Sequence, residues 1–190
     1  MEDKRLMPPE NSPATVHKAK AFRDLHHANG VFVMPCAWDA FSALLFERSG
    51  VPCLGTTSGG CNWVKGRKDY VYTTPMSEML SAYGEIAGAT NLPVSGDLEN
   101  GYGESPETVA DTISQSIASG LVGGSIEDQV DVPTDQDFSN GELYEQGLAV
   151  ERIRAARVAA DSLMPHYTLT ARCEVYYPVR QRRLRLLLSG

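Results

Sequence analysis

The chain has 190 residues, 42% of them hydrophobic and 22% charged, which suits one globular domain able to bury a sizeable core. Its net charge of −7 speaks against nucleic acid or an anionic membrane as the main partner. No apolar run approaches the roughly 18 residues of a membrane span, and the opening MEDKRLMPPENSP lacks the apolar core of a secretory signal, so a cytoplasmic setting is expected.

In chain order, residues 1–14 read as a disordered arm. An amphipathic helix is expected over about Thr15 to Ala28, stopped by Asn29 and Gly30. VFVMP (Val31–Pro35) reads as a short buried strand, and AWDAFSALLFERSG as a helix ending at Gly50. VPCLGTT (Val51–Thr57) is a second strand. The stretch SGGCNWVKGRKDYVYT reads as a loop leading to Thr74 as N-cap and Pro75 at the first helical position. LPVSGD (Leu92–Asp97), LVGGSIED (Leu121–Asp128) and YTLTARCE (Tyr167–Glu174) are the third, fourth and fifth strands. A helix opened by Ser105 and Pro106 separates the first two of these, and one over about Leu143 to Ser162 precedes the last.

Short continuous apolar strands alternating with helices indicate a parallel sheet covered on both faces. Two architectures satisfy the pattern, a (β/α) barrel and a doubly wound open sheet of five strands. In both, the C-terminal strand ends share one face and carry the chemistry.

Those ends hold Thr57, Ser58, Gly59 and Gly60; Asp97 and Glu99; Glu127 and Asp128; and Arg172 with Glu174. Crowded carboxylates repel unless positive charge sits among them. Hard oxygen donors without His or Cys suit Mg²⁺, with Mn²⁺ as the alternative, rather than zinc. One direct carboxylate with water-bridged neighbours fits Mg²⁺, and Arg172 offers paired N–H donors to a substrate carboxylate or phosphonate. Ser58, Gly59 and Gly60 offer N–H groups to a second anionic oxygen. Asp39 is read as a helix cap, Lys65, Arg67 and Lys68 as a solvated loop face, and Trp38 and Trp63 as packing residues. Cys36, Cys53, Cys61 and Cys173 form no CxxC pair and read as buried thiols.

The segments AWDAFSALLFERSGVPCLGTTSGG, LPVSGDLENGYG, GGSIEDQ and LTARCE, in this order, resemble the isocitrate lyase/phosphoenolpyruvate mutase superfamily, including its carboxyvinyl-carboxyphosphonate phosphorylmutase-like members. The resemblance implies a (β/α)8 TIM barrel of which about five β/α units are present here, residues 15–174. It implies a Mg²⁺-dependent lyase or mutase that makes or breaks a C–C or P–C bond in a small α-oxo or α-hydroxy carboxylate through an enolate-like species. Carried over, Asp97 holds the metal, and Glu99 and Glu127 act through its waters. Arg172 contacts the substrate carboxylate, Thr57, Ser58 and Gly59 bind substrate oxygens, and Asp69 borders the substrate. Homo-oligomers are expected of complete family members.

Two departures stand out. The lyases carry K-x-C-G-H after the fourth strand, whereas Asp128 to Tyr144 holds no Cys, His or Lys, so isocitrate or methylisocitrate lyase activity is not expected; Asn140 is the one residue there that matches the mutase type. After Glu174 the text becomes VYYPVRQRRLRLLLSG, an atypical basic tail over 175–190 that reads as a truncation or a shifted frame. The alternatives are therefore an inactive fragment or pseudoenzyme of the family and, less so, a doubly wound binding module.

Overall fold

A computed structural model of the chain describes residues 12–69, 74–130 and 142–174. Most of the expected N-terminal arm, the centre of the loop after the fourth strand with Asn140, and the basic tail lie outside the described residues. The elements run α1 (Pro13–His27), β1 (Cys36–Ala37), α2 (Ala40–Arg48), β2 (Leu54–Thr56), α3 (Ser58–Val64), α4 (Met76–Ala89), β3 (Val94–Asp97), α5 (Pro106–Ala118), β4 (Gly123–Glu127), α6 (Gln146–Leu163) and β5 (Thr168–Arg172).

All five strands pair in parallel and in sequence order, β1-β2-β3-β4-β5. A doubly wound sheet reverses its order at a switch point. This one never does, so the open-sheet alternative and the binding module built on it are set aside in favour of consecutive units of a barrel wall.

Local chemistry explains where the helices begin. Ser12, Asp39 and Ser105 each accept a backbone N–H from the first turn of α1, α2 and α5. Asp39 and Ser42 form a reciprocal capping box, as expected of Asp39. Pro13 and Pro106 open their helices, where a missing N–H costs nothing.

The core lies between helices and sheet. Phe22, Leu54, Met79, Ile86, Leu98, Ile113, Ile117, Leu121, Ile126 and Met164 are fully buried there, and α5 and α6 form the most extensive helix pair. The middle strands carry glycines because neighbours press into them. A Cβ at Gly124 would sit 2.6 Å from the Tyr167 hydroxyl and 2.7 Å from Leu98 Cδ1.

Several expectations change. The run Val31–Pro35 is not a strand: the ladder begins at Cys36, with one further bond from Gly55 N to the Pro35 carbonyl at 2.9 Å. Pro35 has no N–H to extend pairing, and Val31 and Val33 are 100% and 71% exposed at this edge. The segment Ser58–Val64 is a helix, because Thr57 caps it by accepting Gly60 N at 3.2 Å. Thr74 does not cap α4: its hydroxyl donates to Asn62 Oδ1 at 2.6 Å, and Pro75 takes the cap position without a side-chain bond. Trp63 and Trp38 stand 67% and 41% exposed rather than packed inside, and Cys36 and Cys173, on the two edge strands or beside them, are exposed thiols. Lys65 and Arg67 are not merely solvated, since both pair with Glu78, at 3.1 and 2.8 Å.

The close approach at Gly124 yields a paired expectation. Gly124→Ala overpacks the core and lowers unfolding stability by about 1–3 kcal/mol. Gly88→Ala, at an exposed helical site with nothing within 4 Å of the new methyl, raises it by about 0.4–1 kcal/mol. Urea denaturation of both variants checks this; equal effects of one sign would disprove the packing account.

Candidate active site

Strand parity sets the site. Side chains two apart on a strand share a face, and Glu127 lies in register with Arg172 across the β4–β5 ladder. Their side chains meet: Arg172 Nη1 lies 2.9 Å from Glu127 Oε1 and 3.1 Å from Asp97 Oδ1. Arg172 Nη2 lies 2.8 Å from Glu174 Oε1, and Nε donates to the same oxygen at 3.1 Å. One guanidinium thus touches three carboxylates from three strand ends.

Asp97 is held on every side. Its second oxygen accepts from Ser58 N at 3.1 Å and Ser58 Oγ at 3.0 Å. Its backbone N–H donates to Thr56 Oγ1 at 2.9 Å, and its carbonyl accepts from the buried Tyr83 hydroxyl at 2.7 Å. Glu99 follows in a left-handed conformation, φ 50°. Its carbonyl accepts Glu127 N at 2.8 Å, and its carboxyl accepts from the Tyr102 hydroxyl at 3.4 Å. Asp69 closes the opposite side: a Cβ at Gly59 would lie 2.8 Å from Asp69 Oδ2, so only glycine lets that carboxylate rest on the first turn of α3.

Of the residues expected from sequence, the structure brings Asp69, Asp97, Glu99, Glu127, Arg172, Ser58 and Gly59 into one cluster. Thr57 borders it, but its hydroxyl is used as the α3 cap, and both Ser58 donors go to Asp97. Asp128 faces away and accepts Glu174 N at 2.8 Å, fixing the end of β5.

Sequence reasoning missed Arg152. It is 1% exposed on α6, stacks over the Tyr144 ring at 3.9 Å, and donates to the carbonyls of Gly103 (2.8 Å), Glu104 (3.0 Å) and Asn100. It thereby clasps the loop that presents Glu99. The available signal was the buried stripe Arg152, Ala156, Ala160, where a cation sits at helical spacing among small apolar residues. Tyr83 and Tyr102 were missed too, being distant in sequence from any acidic motif or read only as part of one.

The electrostatics follow from this crowding. Burial, then Asp97, Glu127 and Asp69, push the Glu99 carboxyl from near 4.5 up to about 8. Burial is also the leading cause for Glu127, at about 8, and it outweighs the nearby Arg172. Burial alone would lower the Arg172 guanidinium, but Glu127, Asp97 and Glu174 raise it above its ordinary value. One cation does not balance the cluster.

This has a sign that can be tested. Both glutamates hold protons in the folded state that the unfolded chain releases above its ordinary range. Their contribution to stability is full below pH 4.5 and is lost as pH rises toward about 8. In EDTA-containing buffer the melting temperature should fall between pH 5.5 and 8 (about those limits), and Glu99→Gln should flatten the fall. A melting temperature that rises over that range, or an unchanged slope in the variant, would refute this.

Among the described residues no three Asp, Glu, His or Cys side chains are gathered tightly enough to ligate one metal ion together. The donor set still fits a hard divalent cation in another way. Its oxygens are hard donors, and the negative charge of Asp97, Glu99, Glu127 and Asp69, which one guanidinium leaves uncompensated, favours a cation. No described helix is long and apolar enough to cross a membrane.

The family model described as phosphoenolpyruvate phosphomutase matches residues 22–187. An uncharacterised protein of Mycobacterium tuberculosis H37Rv is 31% identical over 157 residues, 83% of this chain and 54% of its own length. A crystal structure from Burkholderia cenocepacia J2315, provisionally assigned as a lyase/mutase, superposes with TM-score 0.79 and 41% identity over 87% of this chain and 57% of that one. The crystal structure of 2,3-dimethylmalate lyase, a PEP mutase/isocitrate lyase superfamily member, gives TM-score 0.73 and 28% identity over 84% and 55%. The chain therefore spans about half the length of the curated relatives it matches, and its sheet is an incomplete barrel of five units. With its strand-end acids and Arg172 in one cluster, the chain belongs to the phosphoenolpyruvate mutase family of the PEP mutase/isocitrate lyase superfamily.

Proposed function

We propose that this chain carries the metal and carboxylate half of a Mg²⁺-dependent lyase or mutase (isomerase) site for a small α-oxo or α-hydroxy carboxylate. The observation that carries the reading is the meeting of Asp97, Glu127 and Glu174 on Arg172 at the C-terminal strand ends, with Glu99 and Asp69 alongside. Family relatives named as a phosphomutase and a lyase support both P–C and C–C chemistry. The complete protein is read as a cytoplasmic homo-oligomer.

Asp97 would hold the cation, and Glu99 and Glu127 would act through its waters; Mn²⁺ suits the same donors. When bound, the cation supplies charge compensation for negative charge that develops on the substrate oxygens during bond cleavage. The protein's own residues do the rest. Arg172, four of whose five N–H groups meet Asp97, Glu127 and Glu174, would contact the substrate carboxylate by exchanging part of these contacts for the substrate's oxygens. Ser58 fixes Asp97 in one rotamer, and Tyr83 and Thr56 fix its backbone. Thr57, Ser58 and Gly59 would bind substrate oxygens, and Asp69, which lies against Gly59, would border the substrate. The raised Glu99 and Glu127 carboxyls would retain protons until a cation arrives among them.

Oxalate, a planar mimic of an enolate-like acid, is the direct probe. With Mg²⁺ and oxalate at about 100 times the dissociation constant, the folded chain should gain roughly 2.7 kcal/mol, seen as an upward shift of the thermal transition. Asp97→Ala should remove the shift, and Mg²⁺ or oxalate alone should give little of it. A variant shift equal to that of the parent chain would refute the metal assignment.

A further inference from the structure

The turn that follows β3 is strained. Glu99 and Tyr102 hold left-handed backbones, φ 50° and 59°, with Gly101 at 83° between them. Such backbones are costly to any residue with a Cβ and persist only where the surroundings over-determine them. The partners of the carbonyls show what does so here. Leu98 O accepts Gly101 N at 2.9 Å, Glu99 O accepts Glu127 N at 2.8 Å, and Gly101 O accepts the Thr112 hydroxyl at 2.8 Å. The carbonyls of Asn100, Gly103 and Glu104 all accept from one side chain, Arg152.

Arg152 reaches this turn from α6, and it is buried. A planar fork can bond several carbonyls at once, whereas an ammonium at the same place acts as a point charge. The face of the fork lies over the Tyr144 ring, 3.9 Å from its centroid. Tyr144 is buried as well. Its N–H donates to the Asp128 carbonyl at 2.8 Å, and the residue before it, Leu143, pairs with Gln129 in an antiparallel bridge. Tyr144 is thereby tied to the backbone immediately after Glu127, the last residue of β4. The Tyr144 hydroxyl also faces Asn100 Nδ2 at 3.5 Å.

One guanidinium therefore joins two segments. On one side it holds the turn that carries Glu99; on the other it rests on the ring anchored beside Glu127. These contacts go to backbone carbonyls and an aromatic face, so Arg152 acts on the acids through the elements that carry them.

We infer that Arg152, seated on Tyr144, is a positioning residue that fixes Glu99 and Glu127 relative to each other, so that cation affinity at the strand ends depends on a side chain of α6 that is directed at the backbone of the turn. The inference rests on the reading of the strand-end cluster as a cation site. Groups that orient a metal's ligands from behind typically govern its affinity about 10- to 100-fold.

Isothermal titration of the full chain with Mg²⁺ in saturating oxalate tests this, with circular dichroism confirming that each variant is folded at the temperature used. Arg152→Lys should weaken Mg²⁺ binding about tenfold or more. Ile117→Val, a buried change at the far end of α5 from the turn, is the stability control and should bind Mg²⁺ as the parent does. Glu99→Gln should weaken binding in the parent but cost little more in the Arg152→Lys background, because residues acting through one another are not additive. If Arg152→Lys does not fold, Tyr144→Leu, which removes the ring beneath the guanidinium, carries the test and should weaken binding about threefold. Parental affinity in Arg152→Lys or, failing that, in Tyr144→Leu, an equal loss in Ile117→Val, or full additivity with Glu99→Gln would overturn the inference and leave the cation site standing. A parent chain that binds no Mg²⁺ with oxalate would overturn the cation site itself, and this inference with it.

Discussion

A single guanidinium among carboxylates organises this molecule's working end. Arg172 reaches Asp97, Glu127 and Glu174 at once, and three strand ends are positioned by what they must do around it. An arginine suits the place because its planar fork stays charged and can bond several acids together. The arrangement is still short of charge balance. Burial and neighbouring acids leave Glu99 and Glu127 with raised protonation ranges even beside a cation. An ion pair inside a fold does not by itself stabilise it, because desolvation rivals attraction. Such a cluster is better understood as a site kept ready for additional positive charge than as a structural rivet.

The scaffold makes that crowding tolerable through fixed neutral contacts. Tyr83 and Thr56 lock the backbone of Asp97, Ser58 takes up one of its oxygens, and Gly59 opens room for Asp69. None of these partners carries charge. They restrict the rotamers of the acids without neutralising them, which is what a preorganised electrostatic site requires.

Much of this was legible in the sequence, and the reasons are local. Short apolar strands, caps such as Asp39 and Ser105, and prolines at helix starts are decided by nearby residues. The acids at the strand ends were legible because parity and a parallel sheet send them to one face, and because their motifs resemble those of a known family. The choice between barrel and doubly wound sheet was not legible in the local pattern, which both share, and came instead from the resemblance of the motifs to a barrel family. Ser58–Val64 was misread as loop because two glycines masked a helix that Thr57 caps. Val31–Pro35 was misread as a buried strand because its apolar residues suggested a covered edge. Arg152 escaped notice because its partners are carbonyls, which leave no trace in side-chain spelling.

Arg152 also sets an order of events. Its bonds to Gly103, Glu104 and Asn100 close loops of 49, 48 and 52 residues. The loop bearing Glu99 therefore gains these anchors only once α6 has docked on the preceding chain, however early β3 itself forms. Contacts of such separation are closed late, after local structure has lowered their entropic cost. During synthesis, Asp97 and Glu99 are spelled out well before the residue that clasps their loop emerges. The chain is thus committed to its scaffold before its chemistry exists, and half-made copies carry the acids without their geometry.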